Sequence, residues 1–266
     1  MNDSRKAIFF DIDGTLLNHG KGPFLDDLEA MEEAARQGHY LFVNTGRSFS
    51  NISDSIMDLS FWNGISAGGG AHVLLKGNSA GNSNYNTIYH KWIDDDCLDE
   101  VCAWYLKNKK QLLLEGEKCC YVTCPSARYL NTGFFKMVTG RDDFRVFYSD
   151  DYISKITMEN VKSSEERRLL EKFFTVNVFP TYAEALIKGE NKGKAIGIIL
   201  EAIGLKQEDS IALGDSINDL DMIRYAGLGV AMGNACAELK DAADAITGNC
   251  GEGGVSEAIK RYVLPV

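Results

Sequence analysis

The sequence has little positive charge to spare. Among its 266 residues, 28 lysines and arginines stand against 38 aspartates and glutamates, for a net charge of −10. A field of that sign repels nucleic acid and anionic lipid, so neither is expected as a partner. The short basic cluster Lys107-Asn108-Lys109-Lys110 has acidic neighbours and reads as solvated helix surface. Long apolar runs are missing as well. No stretch approaches the ~18 uninterrupted apolar residues of a membrane span. The polar opening Met1 to Lys6, followed by an apolar run that stops at Asp11, does not have the form of a secretory signal. The expected compartment is the cytoplasm, where the acceptor-like triplet Asn51-Ile52-Ser53 has no meaning. Paired cysteines at metal-site spacing are lacking: Cys97, Cys102, Cys119, Cys120, Cys124, Cys236 and Cys250 are odd in number and irregular in spacing, so reduced, mostly buried thiols are expected. The four histidines are scattered. No P-loop is present, because Gly193-Lys194 is followed by Ala195, and no Gly-x-Gly-x-x-Gly follows the first apolar run. Gly77-Asn78-Ser79-Ala80-Gly81 has the letters of a nucleophile elbow, but Asn82-Ser83-Asn84 follows where that motif needs a helix.

What is present is an ordinary globular balance, 45% hydrophobic and 25% charged. The length suits one large domain, or a core plus a smaller domain. Three apolar runs share one feature. Ala7-Ile8-Phe9-Phe10 ends on Asp11, Tyr40-Leu41-Phe42-Val43 on Asn44-Thr45, and Ile211-Ala212-Leu213-Gly214 on Asp215. Short continuous apolar runs fit strands buried on both faces of a parallel sheet. Helical stretches are expected after each, at 26–37 (stopped by Gly38), 48–59 and 217–226. Strand–helix alternation predicts an α/β fold with a doubly wound, mostly parallel core sheet. Ligands of such sheets sit beyond the carboxyl ends of the strands, so the polar residues that end these runs are expected in one crevice.

The middle of the chain reads differently. His72 to Leu75 and Thr87 to Lys91 suggest a hairpin whose tip, Lys76 to Asn86, is rich in Gly, Asn and Ser. A helix at 95–109, with Asp94 or Asp95 as its cap, precedes strands at 111–115 and 119–124. A helix at 164–173 and strands near 175–179 and 183–187 follow. The expected organisation is a core of residues 1–83 and 185–266 with an inserted α+β domain over 84–184. The aromatics of that insertion, Trp104, Phe134 and Phe135 among them, are expected in its core.

The most specific chemical signal is Asp11-Ile12-Asp13-Gly14-Thr15, directly after the first buried run. Two carboxylates two apart, before a glycine turn, can converge on one ligand, and they repel each other unless a cation or shared proton intervenes. This stretch resembles the first motif of the haloacid dehalogenase superfamily, Asp-x-Asp-Gly-Thr. Thr45-Gly46-Arg47 is similar to the second motif, and Lys192 in Asn191-Lys192-Gly193-Lys194-Ala195 to the third. Gly214-Asp215-Ser216-Ile217-Asn218-Asp219 is similar to the fourth. Asp11 and Thr45 are 34 positions apart, which one helix and one strand fill. Thr45 and Lys192 are 147 apart, so the insertion lies between the second and third motifs. That arrangement is similar to the Cof-type sugar-phosphate phosphatases, as is the ending Gly253-Gly254-Val255-Ser256-Glu257-Ala258. One departure is Gly68-Gly69-Gly70-Ala71, where relatives carry Asn-Gly-Ala, so a polar contact from that Asn is not expected here.

The resemblance implies a Mg²⁺-dependent phosphatase that works through an aspartyl-phosphate on Asp11. Asp13 would act as acid and then base; an Asp at that position favours phosphatase or mutase chemistry over dehalogenation. Asp11, Asp215 and Asp13, the last through its main-chain carbonyl, would hold Mg²⁺. Thr45, Lys192, Asn218 and main-chain N–H groups near Ile12 and Gly46 would bind the phosphoryl oxygens, with Asp219 and Thr15 in support. The expected substrate is a small phosphorylated metabolite, a hexose phosphate foremost. A phosphotransferase of the phosphomannomutase kind and an inactive phospho-sugar sensor are the alternatives. Against the sensor stands the expectation that Asp13 is costly to keep buried beside Asp11 unless it is used.

Overall fold

The computed structural model describes residues 5–18, 22–77, 85–123, 135–138, 143, 151–159 and 161–264. The chain divides into two compact units. One comprises residues 1–46, 53–89 and 191–266, the other residues 47–52 and 90–190.

The first unit is built on an eight-stranded sheet. Its order is Ala245–Ile246, Leu228–Ala231, Ser210–Gly214, Ala7–Phe10, Tyr40–Asn44, Gly64–Ala67, His72–Lys76 and Tyr85–His90. The pairs from Ala245–Ile246 through Gly64–Ala67 are parallel, and His72–Lys76 runs antiparallel to Gly64–Ala67. The three apolar runs are the three central strands, fully buried except at Tyr40. Alternation along them divides the core. Ala7, Phe9, Phe42 and Ala212 pack with Ile196 and Ile199 of the helix Lys192–Ile203 and with Met222 and Ile223 of the helix Leu220–Tyr225. On the opposite parity, Phe10 meets the buried Trp62 edge-on at 5.9 Å. Burial of side chains of this size stabilises a fold by about 1.5–3 kcal/mol each.

The helix Leu25–Arg36 ends where expected, with Gly38 in the left-handed region at φ 88°. Its buried Asp27 accepts a hydrogen bond from the Ser256 N–H at 2.7 Å, and so acts as a side-chain cap for the helix Gly254–Tyr262. The expected helix at 48–59 is instead a 3₁₀ turn at Phe49–Asn51 and one helical turn at Asp54–Met57. Ser48 and Ser53 are extended and break it, in keeping with the tendency of serine to favour helix boundaries over interiors. The expected 217–226 helix likewise starts with a 3₁₀ turn, Ile217–Asp219. Strands Gly64–Ala67, Leu228–Ala231 and Ala245–Ile246 were not anticipated; each is only two to four residues long and leaves almost no periodicity to read.

The second unit has a six-stranded sheet in the order Phe174–Val178, Tyr182–Ile187, Ile153–Glu159, Leu112–Gly116, Cys120–Thr123 and Phe135–Val138. All pairs are antiparallel except the last. Helices Asp95–Lys107 and Ser164–Phe173 cover one face through Leu98, Val101, Tyr105 and Leu170. Asp94 precedes the first of these helices without a side-chain capping bond. Trp104 packs partly buried on this core and Phe135 on a small cluster of Leu113, Cys120 and Val122. Phe134 and Cys124 lie outside the described residues, as does most of the Lys76–Asn86 tip. The six described cysteines are all free thiols.

The division between units falls later than 84–184 at both ends. Tyr85–His90 belongs to the eight-stranded sheet, whereas Tyr182–Ile187 pairs with Ile153–Glu159 in the other. Strand pairing, rather than loop composition, sets the boundary. Residues 47–52 also join the second unit, where Ser50 Oγ donates to the Gly116 carbonyl at 2.7 Å.

Candidate active site

The carboxyl ends of the central strands bring Asp11, Thr45 and Asp215 to one edge of the eight-stranded sheet. After the first strand the chain turns sharply: Leu16 and Leu17 both donate to the Ile12 carbonyl, at 2.9 and 2.8 Å, and Gly14 donates to the Leu17 carbonyl at 2.9 Å. Gly14 has φ 85°, and a Cβ there would overlap the Asp215 carboxylate, so only glycine permits this approach. Ile12 and Thr15 are buried within the turn, and Thr15 Oγ1 has no hydrogen-bond partner among the described residues.

Lys192 opens the helix Lys192–Ile203 and is buried. Its Nζ lies 2.7 Å from Asp11 Oδ1 and 2.5 Å from Asp219 Oδ1. Burial works against the Lys192 ammonium, but Asp11 and Asp219 outweigh it and raise its pKa. Asp219 Oδ2 accepts the N–H groups of Asp215 and Ser216 at 2.9 and 3.0 Å, so both of its oxygens are engaged. The buried Asp215 Oδ1 has no hydrogen-bond partner among the described residues. Burial lifts the Asp11 carboxyl to about 8; Lys192 opposes this, while Asp219 and Asp215 add to it. Burial lifts Asp215 to about 7, with Asp219 adding to it, Lys192 opposing and Asp13 adding further.

Thr45 is buried; its N–H donates to the Ser66 carbonyl at 2.8 Å and its carbonyl accepts from Gly69 at 3.0 Å. A Cβ on Gly46 would stand 3.6 Å from Asn218 Nδ2, which places these two residues side by side. Asn218 Oδ1 accepts from Ser216 Oγ at 2.7 Å. Asp13, by contrast, is exposed. The expectation of a buried Asp13 is corrected: Lys192 and Asp219 are buried beside Asp11, whereas the Asp13 side chain is exposed.

Three supporting residues escaped the sequence reading. Asn44 Nδ2 donates to the Lys192 carbonyl at 3.0 Å, and its position at a strand end before Thr45 was the only signal of it. Gly70, at φ 98°, lies where a Cβ would overlap the Asn191 carbonyl, so the glycine run Gly68-Gly69-Gly70 permits the close approach of the loop that carries Lys192. Asn234 Nδ2 donates to the Gly14 carbonyl at 2.9 Å and its Oδ1 accepts from the Cys250 N–H at 2.7 Å; nothing in its local sequence marks it.

Asp11, Asp215 and Asp219 each offer an oxygen within 4.8 Å of the others. A divalent cation fits this set. The Asp215 oxygen is buried and unpartnered, Gly14 leaves room beside it, and burial, with the neighbouring carboxylates adding to it, holds Asp11 and Asp215 above the carboxylate range despite Lys192. Hard oxygen donors suit Mg²⁺. Asp219 is committed to Lys192 and two amides, which leaves Asp11 and Asp215 as the carboxylates open to a metal.

A buried Asp–Lys–Asp constellation at the strand ends of a doubly wound sheet, with an α+β unit inserted after the second strand, defines a class of phosphoryl-transfer enzyme. The chain belongs to the haloacid dehalogenase-like hydrolases, whose family model matches residues 8–259. It is 30% identical over 261 residues to the 5-amino-6-(5-phospho-D-ribitylamino)uracil phosphatase of Bacillus subtilis, covering 97% of this chain and 96% of the relative. Among solved structures it is similar to the subclass IIB sugar phosphatase BT4131 of the same superfamily, with TM-score 0.80, 27% identity, and 97% and 98% of the two chains covered. It is equally similar to a structure from a study of the conserved trigonal-bipyramidal intermediate in a phosphoryl-transfer superfamily, with TM-score 0.81, 27% identity, and 97% and 99% covered. The protein is an enzyme of the haloacid dehalogenase phosphatase type. Among the described residues no helix is long and apolar enough to cross a membrane.

Proposed function

We propose that this phosphatase is a Mg²⁺-dependent phosphomonoester hydrolase that acts on a small phosphorylated metabolite, a sugar or polyol phosphate, through an aspartyl-phosphate on Asp11. The observation that carries the reading is Lys192 held between Asp11 and Asp219 beside the unpartnered oxygen of Asp215. The name of the B. subtilis relative specifies a phosphorylated ribityl group, which supports a polyol-like substrate.

Asp11 attacks phosphorus, the bond from phosphorus to the ester oxygen breaks, and Asp13 gives its proton to the departing oxygen. Water then attacks the acyl phosphate, Asp13 takes a proton from it, and Asp11 is released with inorganic phosphate. The exposure of Asp13 suits a group that must meet both the leaving alcohol and water. Thr45, Lys192, Asn218 and the N–H groups of Ile12 and Gly46 bind the phosphoryl oxygens and stabilise the charge spread over them. Asp11 and Asp215, with the Asp13 main-chain carbonyl, would hold Mg²⁺, which when bound supplies positive charge against those oxygens. Residues of the inserted unit would choose the substrate, since all four motifs lie in the other unit apart from Arg47.

Turnover of p-nitrophenyl phosphate tests this. Excess EDTA abolishes it and added Mg²⁺ restores it; Asp11→Asn eliminates it with the fold retained. Full turnover in EDTA, or in the Asn variant, would overturn the mechanism. Release of free phosphate from a hexose phosphate, rather than its movement within the sugar, separates hydrolase from mutase.

A further inference from the structure

The side chain of Asn234 and the turn that carries it join the loops after four neighbouring strands of the eight-stranded sheet. The strands Ala245–Ile246, Leu228–Ala231, Ser210–Gly214 and Ala7–Phe10 lie side by side in that order and run parallel. Asn234 belongs to the turn after Leu228–Ala231. Its Nδ2 donates to the Gly14 carbonyl, in the loop after Ala7–Phe10, at 2.9 Å. Its Oδ1 accepts the N–H of Cys250, in the loop after Ala245–Ile246, at 2.7 Å. The backbone of the same turn holds the remaining strand end: the Met232 N–H donates to the Gly214 carbonyl and the Cys236 N–H to the Asp215 carbonyl, both at 2.9 Å. The loop with Cys250 also returns to the first one, since Asn18 Nδ2 donates to the Cys250 carbonyl at 3.2 Å.

The turn itself is anchored. Met232 and Ala235 are buried, and Lys240 Nζ donates to the Gly233 carbonyl at 2.6 Å. On that base a side-chain amide can donate to a carbonyl and accept from an N–H at once, which a carboxylate or an aliphatic group cannot. Asn234 is exposed. Water replaces hydrogen bonds lost at such a position, so these bonds add little to folding. What they fix is the place of the loop they reach. Gly14 follows Asp13 directly, so the Gly14 carbonyl is a handle on the turn that presents Asp13. The Asp13 carboxyl has to meet a departing oxygen and then a water, and an error of about 1 Å in such placement costs about a hundredfold in rate.

We propose that Asn234 is a positioning residue for acid–base catalysis by Asp13. Through the Gly14 carbonyl it fixes the turn that presents Asp13, and through its own turn it ties that placement to the strand end with Asp215. The role rests on the reading of Asp13 as the acid and base of an aspartyl-phosphate phosphatase. Asn234 acts through the backbone and moves no proton itself.

The test measures kcat of the full-length protein on two esters of similar shape, p-nitrophenyl phosphate and phenyl phosphate. The first leaving group departs with little protonation, and the second depends more on an acid. Asn234→Ala, shown to be folded by circular dichroism, is expected to lower kcat on phenyl phosphate by about 10–100-fold. Its loss on p-nitrophenyl phosphate is expected to be at least about threefold smaller. In an Asp13→Asn background the same change is expected to cost less than about twofold on phenyl phosphate, because the acid it positions is gone. Unchanged kcat, equal losses on both esters, or a full further loss on top of Asp13→Asn would overturn the role. If Asn234→Ala does not fold, the isosteric Asn234→Asp decides by the same comparison, since it keeps the acceptor for Cys250 and lacks the donor to Gly14. A wild type inert toward both esters overturns the phosphatase reading. A wild type active on p-nitrophenyl phosphate alone, or an Asp13→Asn variant with equal losses on both, overturns the acid assignment, and this role falls with either. Where Asp13→Asn discriminates between the esters and Asn234→Ala does not, this role alone is overturned.

Discussion

Asp219 engages both carboxylate oxygens, one with Lys192 Nζ and the other with the N–H groups of Asp215 and Ser216. It therefore ties the Lys192 ammonium to the backbone at Asp215. Asp13 is exposed, which suits proton transfer. Asp13→Asn is expected to lower kcat by about 10²–10⁴ on an alkyl phosphate, the usual worth of general acid–base catalysis. The loss on p-nitrophenyl phosphate is expected to be smaller, because that leaving group needs little protonation. Equal losses on both esters would count against Asp13 as the acid. Gly14 offers a separate handle. Gly14→Ala forces a Cβ into the Asp215 carboxylate at a φ of 85°, and is expected to weaken Mg²⁺ binding by about 10–100-fold in a calorimetric titration. Unaltered Mg²⁺ affinity would separate Asp215 from the metal.

At the scale of elements, the helix Gly254–Tyr262 begins after Gly253, at φ 83°, and has no capping side chain of its own. Asp27, on the helix Leu25–Arg36, supplies the acceptor from 229 residues away. Asp27→Ala is expected to cost about 1–2 kcal/mol in chemical denaturation. Asp27→Asn keeps an acceptor oxygen and removes a charge whose burial raises its pKa, so it is expected to cost less. Similar losses from both variants would mean that the charge, rather than the acceptor, holds the two helices. Neither change touches Asp11, Lys192 or Asp215, so turnover per folded molecule is expected to stay near wild type.

For the molecule as a whole, the decisive feature is that each unit has its own apolar core. One is built around Phe9, Phe42, Ile196 and Met222, the other around Leu98, Val101, Leu112 and Ile156. Units with separate cores can in principle fold alone. Replacing residues 90–190 with a short Gly-Ser linker is expected to leave a cooperatively unfolding protein, checked by circular dichroism during heating. That protein is expected to keep much of its p-nitrophenyl phosphate turnover and to lose its ranking of natural phosphate esters. A folded deletion variant that kept the ranking would place specificity in the remaining unit.

The central strands and the order of the four motifs were legible because both are local. A run such as Ala7-Ile8-Phe9-Phe10 can be satisfied only by burial on both faces, and Asp11, Thr45 and Asp215 follow such runs directly. The helix expected at 164–173 is Ser164–Phe173, and Ser163 Oγ accepts the Glu166 N–H at its start. What tertiary structure alone decided depends on distance in sequence. The two-residue strand Ala245–Ile246 exists because Leu228–Ala231 offers a partner, and Tyr85–His90 belongs to the core because of its place in the eight-stranded sheet. Asn44, Gly70 and Asn234 support the site through groups 148, 121 and 220 residues away, contacts that no local pattern encodes. The difference in exposure between Asp13 and Asp11 is of the same kind. Two identical side chains two positions apart point into different surroundings at a strand end, and only the packing of Lys192 and Asp219 against one of them determines which is buried.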